Sequence, residues 1–111
     1  MGEIVGVLDR LLGGEVVDTE DVARVVGSTS RSVARWHAAG STPRKLSEER
    51  LLELSAVVDL VRSVLRDEPA RMWLRSPNPE LDWRKPLDLV ARGEYRKVIG
   101  AILAMAEGVM A

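Results

Sequence analysis

The sequence contains no cysteine and no phenylalanine, one histidine (His37), three tryptophans and one tyrosine. Without thiols there is no disulfide, no thiolate nucleophile and no cysteine-held metal site. A lone imidazole does not make a histidine metal site within one chain, so neither metal nor cofactor is expected. Long apolar runs are missing as well: none reaches the roughly 20 residues of a membrane-spanning helix. The start, Met1-Gly2-Glu3-Ile4, lacks the charged-then-apolar layout of a secretion signal. A cytoplasmic protein with no membrane partner is expected.

Catalytic constellations are equally scarce. Glu20-Asp21 and Glu48-Glu49 are adjacent carboxylates, which on a helix point about 100° apart and rarely meet one substrate. Gly13-Gly14 is an isolated turn signal rather than a phosphate-cradling loop. His37 has no carboxylate or nucleophile at motif spacing and reads as a surface or DNA-facing residue. The chain is therefore expected not to be an enzyme.

What is present is helix. At 111 residues the chain suits one compact domain, or two small helical modules that share a core. Its 46% hydrophobic content is too high for a disordered polypeptide. Strand-like alternation is never sustained, whereas helical spacing recurs. A first helix over about 3–12 puts Ile4, Leu8 and Leu11 on one face. Thr19 reads as the N-cap of a second, over 20–26, that stops at Gly27. A third runs from about Ser30 to Ala39 and is closed by Gly40, followed by a loop over 41–45.

Ser47 reads as the cap of the longest helix, about 48–66. Its apolar residues form two stripes, Leu51, Leu54, Val58, Val61 and Leu65, and then Val57, Leu60 and Val64. A surface helix needs only one. Two stripes imply a helix packed on both sides, or one that also meets a second copy of the chain through Val57 and Leu60. Beyond it, Pro69 starts a helix carrying Met72, Trp73 and Leu74. Asn78 caps a brief turn through Leu81 and Trp83, Pro86 begins a helix that ends at Gly93, and a last helix over about 94–107 carries Tyr95, Val98, Ile102 and Met105. Gly108 marks its end. The divisions that follow are 1–46, a connecting helix over 47–66, and 67–111.

The second and third helices have helix-turn-helix spacing: small Ala23 at the crossing, Gly27 in the turn, Val33 and Trp36 pointing back to the core. The net charge of −1 hides a segregation. Residues 1–27 hold six acidic side chains against Arg10 and Arg24, whereas residues 28–46 hold Arg31, Arg35, Arg44 and Lys45 with no acid. With Ser28, Ser30 and Ser32 they make a candidate surface for the phosphates and base edges of DNA. A helical hairpin with a solvated basic face would carry the same charges.

In the second half, Trp73 and Trp83 stand among prolines and short helices. Each could fill the core or anchor a partner. Core is the preferred reading for Trp73, between Met72 and Leu74. For Trp83, beside Asp82, Arg84 and Lys85, both readings stay open.

The stretch Trp73-Leu-Arg-Ser-Pro-Asn-Pro-Glu-Leu81, then Lys85-Pro-Leu-Asp-Leu-Val90, then Gly93-Glu-Tyr95 with Val98, resembles the C-terminal toxin-binding domain of Xre/MbcA/ParS-type antitoxins. Arg31-Ser-Val-Ala-Arg-Trp36 is similar to the Xre-like helix-turn-helix of the same proteins, and Ala104-Met-Ala-Glu-Gly-Val109 resembles the ending of their mycobacterial branch. The resemblance implies an all-α fold: an N-terminal Xre-like helix-turn-helix joined by a long central helix to a small helical toxin-binding domain. It also implies an antitoxin that neutralises a RES-domain toxin, an enzyme that degrades NAD or transfers its ADP-ribose, by obstructing the toxin's cleft. A homodimer within a heterotetramer or larger assembly, and autoregulation through operator DNA, belong to the same picture. Carried onto this chain, the toxin-binding candidates on the last helix and its end are Tyr95, Ile99, Ile102, Glu107, Val109 and Met110, beside Trp83; ordinary core remains the preferred reading of Ile102 and Met105. Val109-Met110-Ala111 is small and uncharged, so obstruction there would be steric. The alternatives are a stand-alone helix-turn-helix transcriptional regulator and an antitoxin without promoter binding.

Overall fold

The computed structural model describes residues 2–110, and side chains over residues 3–108. The described residues fold into seven α-helices and one 3-10 turn with no strand. They are α1 (Gly2–Gly13), α2 (Thr19–Val26), α3 (Ser30–His37), α4 (Lys45–Val64), α5 (Asp67–Arg75), the 3-10 turn Pro79–Leu81, α6 (Pro86–Ala91) and α7 (Tyr95–Met110). The all-α expectation holds. The molecule is elongated, with extents of 46 × 23 × 18 Å.

α4 is the axis. Leu51, Leu54, Val57, Val58 and Val61 are all buried, and α1, α2, α5, α6 and α7 pack around them. Both apolar stripes are thus used inside the chain. Val57 is fully buried, which removes it from a subunit contact, while Leu60 is half-buried against the core. One hydrophobic core runs from Val7 to Ile102, so the two halves share it. Trp36 of α3 and Leu74 of α5 are both part of it.

Several boundaries differ from those read in the sequence. α2 is capped by Asp18 rather than Thr19: the Asp21 N–H donates to the Asp18 carboxylate at 2.9 Å, and the Asp18 N–H donates to Asp21 at 3.0 Å. This reciprocal pair uses two otherwise unsatisfied donors. α4 begins at Lys45, after an Arg44 cap that has no side-chain hydrogen bond. Ser47 instead donates its hydroxyl to the Val26 carbonyl at 3.0 Å, tying α4 to the end of α2. α3 ends two residues early, because Ala39 takes the left-handed conformation (φ 61°) and Gly40 donates back to the Arg35 carbonyl at 2.8 Å. α7 runs through Gly108 to Met110, so there is no break at Gly108 from which a separate tail would begin.

Candidate functional site

The basic candidates gather at one end of the molecule. α2 closes in a Schellman motif: Gly27 is left-handed (φ 72°), and Ser28 donates to the Ala23 carbonyl at 2.9 Å. Thr29 then caps α3 by accepting from the Ser32 N–H at 3.1 Å. Thr29 is absent from the sequence-predicted candidates, although a threonine four residues before a core valine is a recognisable cap signal. Val33 and Trp36 bury the inner face of α3, which leaves Arg31, Ala34 and Arg35 exposed on the outer face.

Ser30, Arg44 and Lys45 are exposed beside them, while Ser28 and Ser32 are half-buried. Ser28, Ser32 and Arg44 line one depression of about 670 Å³ with Thr29, Thr42 and Leu46. Among the described residues Arg31, Arg35, Arg44 and Lys45 have no ion-pair partner, whereas Arg50 and Arg75 do. A cation without an internal carboxylate keeps its charge available to an external anion. His37 faces away from this role: its Nε2 lies 2.5 Å from the Asp9 carboxylate, linking α3 to α1.

The second candidate face lies at the opposite half of the chain. Asn78 caps the 3-10 turn by accepting from the Glu80 N–H at 2.8 Å. Its own N–H donates to the Arg84 carbonyl at 3.1 Å, and its carbonyl accepts from Trp83 at 2.8 Å. Arg84 in turn donates to the Leu81 carbonyl at 3.1 Å. Asp82 (φ 55°) and Trp83 (φ 65°) both occupy the left-handed region, the backbone that a type I′ turn requires at its two central positions. Trp83 is 70% exposed. Trp73, by contrast, packs partly buried against the core.

Beside this loop runs a groove of about 520 Å³, floored by Leu81, Leu89 and Ala101 and rimmed by Arg84, Arg92, Glu94 and Lys97. The Lys97 ammonium, 2.7 Å from Glu94, holds that carboxyl below its ordinary pKa, with Arg92 and Arg84 adding to the effect. Gly100 and Ala104 of α7 also line the groove.

Along α7 the candidates divide. Ile102 is fully buried, the core role preferred for it, so the isolated chain does not present it to a partner. Tyr95 and Ile99 are half-buried against the core, and Glu107 is exposed. The side chains of Val109 and Met110 lie outside the described residues. Leu103, 50% exposed, was missed. It follows Ile99 and precedes Glu107 by four residues each, so the three share one side of the helix, and that i, i+4 spacing was the available signal. From Tyr95 to Glu107 this side spans about 18 Å at ~1.5 Å per residue.

Comparison with known proteins matches a family model to this half and whole proteins to most of the chain. A family profile described as the antitoxin Xre/MbcA/ParS C-terminal toxin-binding domain matches residues 56–105. The mycobacterial cidal antitoxins MbcA of Mycobacterium tuberculosis and Mycobacterium bovis are each 48% identical over 90 residues, covering 81% of this chain and 80% of theirs. In the crystal structure of the M. tuberculosis MbcT–MbcA toxin–antitoxin complex, one chain superposes with a TM-score of 0.88 at 39% identity, covering 98% of both chains.

Proposed function

Since the chain belongs to the family of antitoxins that carry the Xre/MbcA/ParS C-terminal toxin-binding domain, we propose that it is itself an antitoxin, binding and neutralising a partner toxin with residues 67–111 and reading DNA with residues 1–46. The observation that carries the first half is the match over residues 56–105, which spans the loop bearing Trp83 and most of α7. The partner is a RES-domain toxin that degrades NAD or transfers its ADP-ribose, as the sequence resemblance implies. Neutralisation is steric obstruction of its cleft by the C-terminal end of α7, with Trp83, Tyr95, Ile99 and Glu107 as contacts. An amphipathic helix laid into a groove is a recurrent way to make such a contact. Since α7 continues through Met110, the obstructing element is the helix end itself.

DNA binding is supported by the cluster Arg31, Arg35, Arg44 and Lys45 around α3, which has no ion-pair partner among the described residues. We read Arg31 and Arg35 as groove contacts, Arg44 and Lys45 as phosphate contacts, and Ser28, Ser30 and Ser32 as hydrogen-bond donors to the backbone. The protein would autoregulate its own operon as a homodimer on a two-fold symmetric site, within a heterotetramer or larger complex when toxin is bound.

Co-purification with the product of the neighbouring reading frame, with NAD turnover assayed with and without this chain, tests the antitoxin reading. Stable binding and suppressed NAD consumption are expected. A neighbour that does not bind would leave a stand-alone transcriptional regulator as the better account. The double variant Arg31→Ala, Arg35→Ala separates the two surfaces, since it should lose promoter binding and keep neutralisation.

A further inference from the structure

Trp83 combines three properties that a merely structural residue would not bring together. Its side chain is 70% exposed, in a chain where Trp36 is buried and Trp73 half-buried. Its backbone sits at φ 65°, directly after Asp82 at φ 55°, a conformation that suits glycine or asparagine and strains a bulky residue. The loop holding it is closed by the hydrogen bonds of Asn78, Trp83 and Arg84 described above, so the indole is displayed from a fixed base. Burial returns little for the strain, because so much of the ring faces solvent. Observed strain at an exposed position is a reason to look for function there.

We propose that Trp83 is the affinity anchor for the toxin, inserting its ring into an apolar pocket on the toxin whose rim carries a hydrogen-bond acceptor for the indole N–H. The proposal rests on the antitoxin reading and goes beyond it by naming one dominant contact and the chemistry that receives it. The toxin, rather than a second copy of this chain, is the occupant because the loop lies inside residues 56–105, the part matched by a toxin-binding domain. The ring has the required form: a large apolar plane with a single polar edge, and that N–H has no partner among the described residues. Tryptophan held this way loses little conformational freedom on binding, which is why rigid aromatic side chains concentrate binding energy.

The test uses the full chain and the co-purified product of the neighbouring reading frame. Trp83→Gly should relieve the backbone strain, so thermal stability is unchanged or higher, while toxin affinity falls by about tenfold or more. Trp83→Tyr keeps a ring on the same backbone and should recover most of the affinity. Trp83→Ala should lose affinity as Gly does without the gain in stability. Affinities within about twofold of wild type for Trp83→Gly would overturn the proposal and leave the antitoxin reading intact. So would a loss in Trp83→Gly that Trp83→Ala does not share, which would assign the effect to loop geometry. A variant that loses self-association in sedimentation while binding toxin normally would make a second copy the occupant, and would overturn it too. If the wild-type chain binds no toxin at all, the antitoxin reading fails first and the anchor falls with it.

Discussion

Arg75, in the last turn of α5, donates to the Asp21 carboxylate in the first turn of α2, 54 residues earlier in the chain. The same guanidinium donates to the Val16 carbonyl at 3.0 Å and the Arg71 carbonyl at 2.9 Å. Asp21 is only 7% exposed and also accepts from the Asp18 N–H at the α2 cap. One carboxylate therefore closes the start of α2 and ties the half that carries the basic surface to the half matched by the toxin-binding domain. Its neighbour Glu20 is exposed, so the adjacent pair is divided between solvent and structure.

Removing this link should be costly. Asp21→Ala strips α2 of half its reciprocal cap and leaves Arg75 without its carboxylate, and we expect a loss of about 2 kcal/mol in stability. Arg75 is 25% exposed, so water recovers part of its solvation and the loss stays below that of a fully buried pair. Arg75→Met alone should also destabilise. The double variant should lose less than the sum of the two, as measured by denaturant unfolding in a double-mutant cycle.

Acid should weaken the same corner. The Asp21 backbone N–H, together with Arg75 and Arg71, holds the Asp18 carboxyl below its ordinary pKa of 3.8. A carboxyl whose folded pKa is depressed binds protons more readily in the unfolded chain, so its stabilisation is present above about pH 3.8 and is lost as pH falls through the folded value. Glu94 acts in the same sense from its ordinary value of 4.5. Asp18→Asn keeps a capping side chain without the charge. Its stability should fall less steeply below pH 4 than wild type in urea titrations; parallel curves would remove Asp18 from the account.

Ala39 offers a stabilising change. Its left-handed backbone (φ 61°) closes α3 in a Schellman geometry, with Ala39 donating to Trp36 at 3.0 Å, a position where glycine has no Cβ penalty. Ala39→Gly should raise stability by about 0.5–1 kcal/mol, the relieved strain exceeding glycine's entropy cost in the unfolded chain. The readout is the unfolding midpoint.

Gly93 is the opposite case. Its φ of 84° ends α6, with Glu94 donating to the Leu89 carbonyl at 2.8 Å, and a Cβ there would lie 2.7 Å from Arg50 Nη2. Gly93→Ala should cost about 1–2 kcal/mol from backbone strain, with a further loss from displacing Arg50 away from Glu53, its partner at 3.0 Å. In an Arg50→Ala background only the backbone part should remain, so the two changes should not add.

Much of the architecture was legible because helix periodicity is a local property. The two stripes of α4 followed from spacing alone: Leu51, Leu54, Val57, Val58 and Val61 proved buried, with Leu60, Val64 and Leu65 half-buried against the same core. The breaks at Gly27 and Gly93 followed from glycine's freedom at positive φ, which the chain uses at both positions. The role of Ser47 was not legible: a serine beside an acidic stretch reads as a cap, yet its hydroxyl is claimed by the Val26 carbonyl, 21 residues away. Ile99, Ile102 and Leu103 are alike to a hydropathy pattern. Which of them is buried, half-covered or exposed depends on the rotation of α7 against its neighbours.

By itself, the sequence determined the helical class, the order and approximate extent of the helices, the clustering of positive charge around α3, and the resemblance that points to a toxin-binding C-terminal half. Tertiary structure decided which polar groups meet across the chain, as Asp21 does with Arg75, and which side of each helix faces water. It also decided where left-handed backbone falls on ordinary residues, at Glu15, Ala39, Asp82 and Trp83. The division has a physical cause. Helix formation and breaking depend on neighbours within about four residues, whereas burial, long-range pairing and tolerated strain depend on packing between elements brought together only when the chain folds.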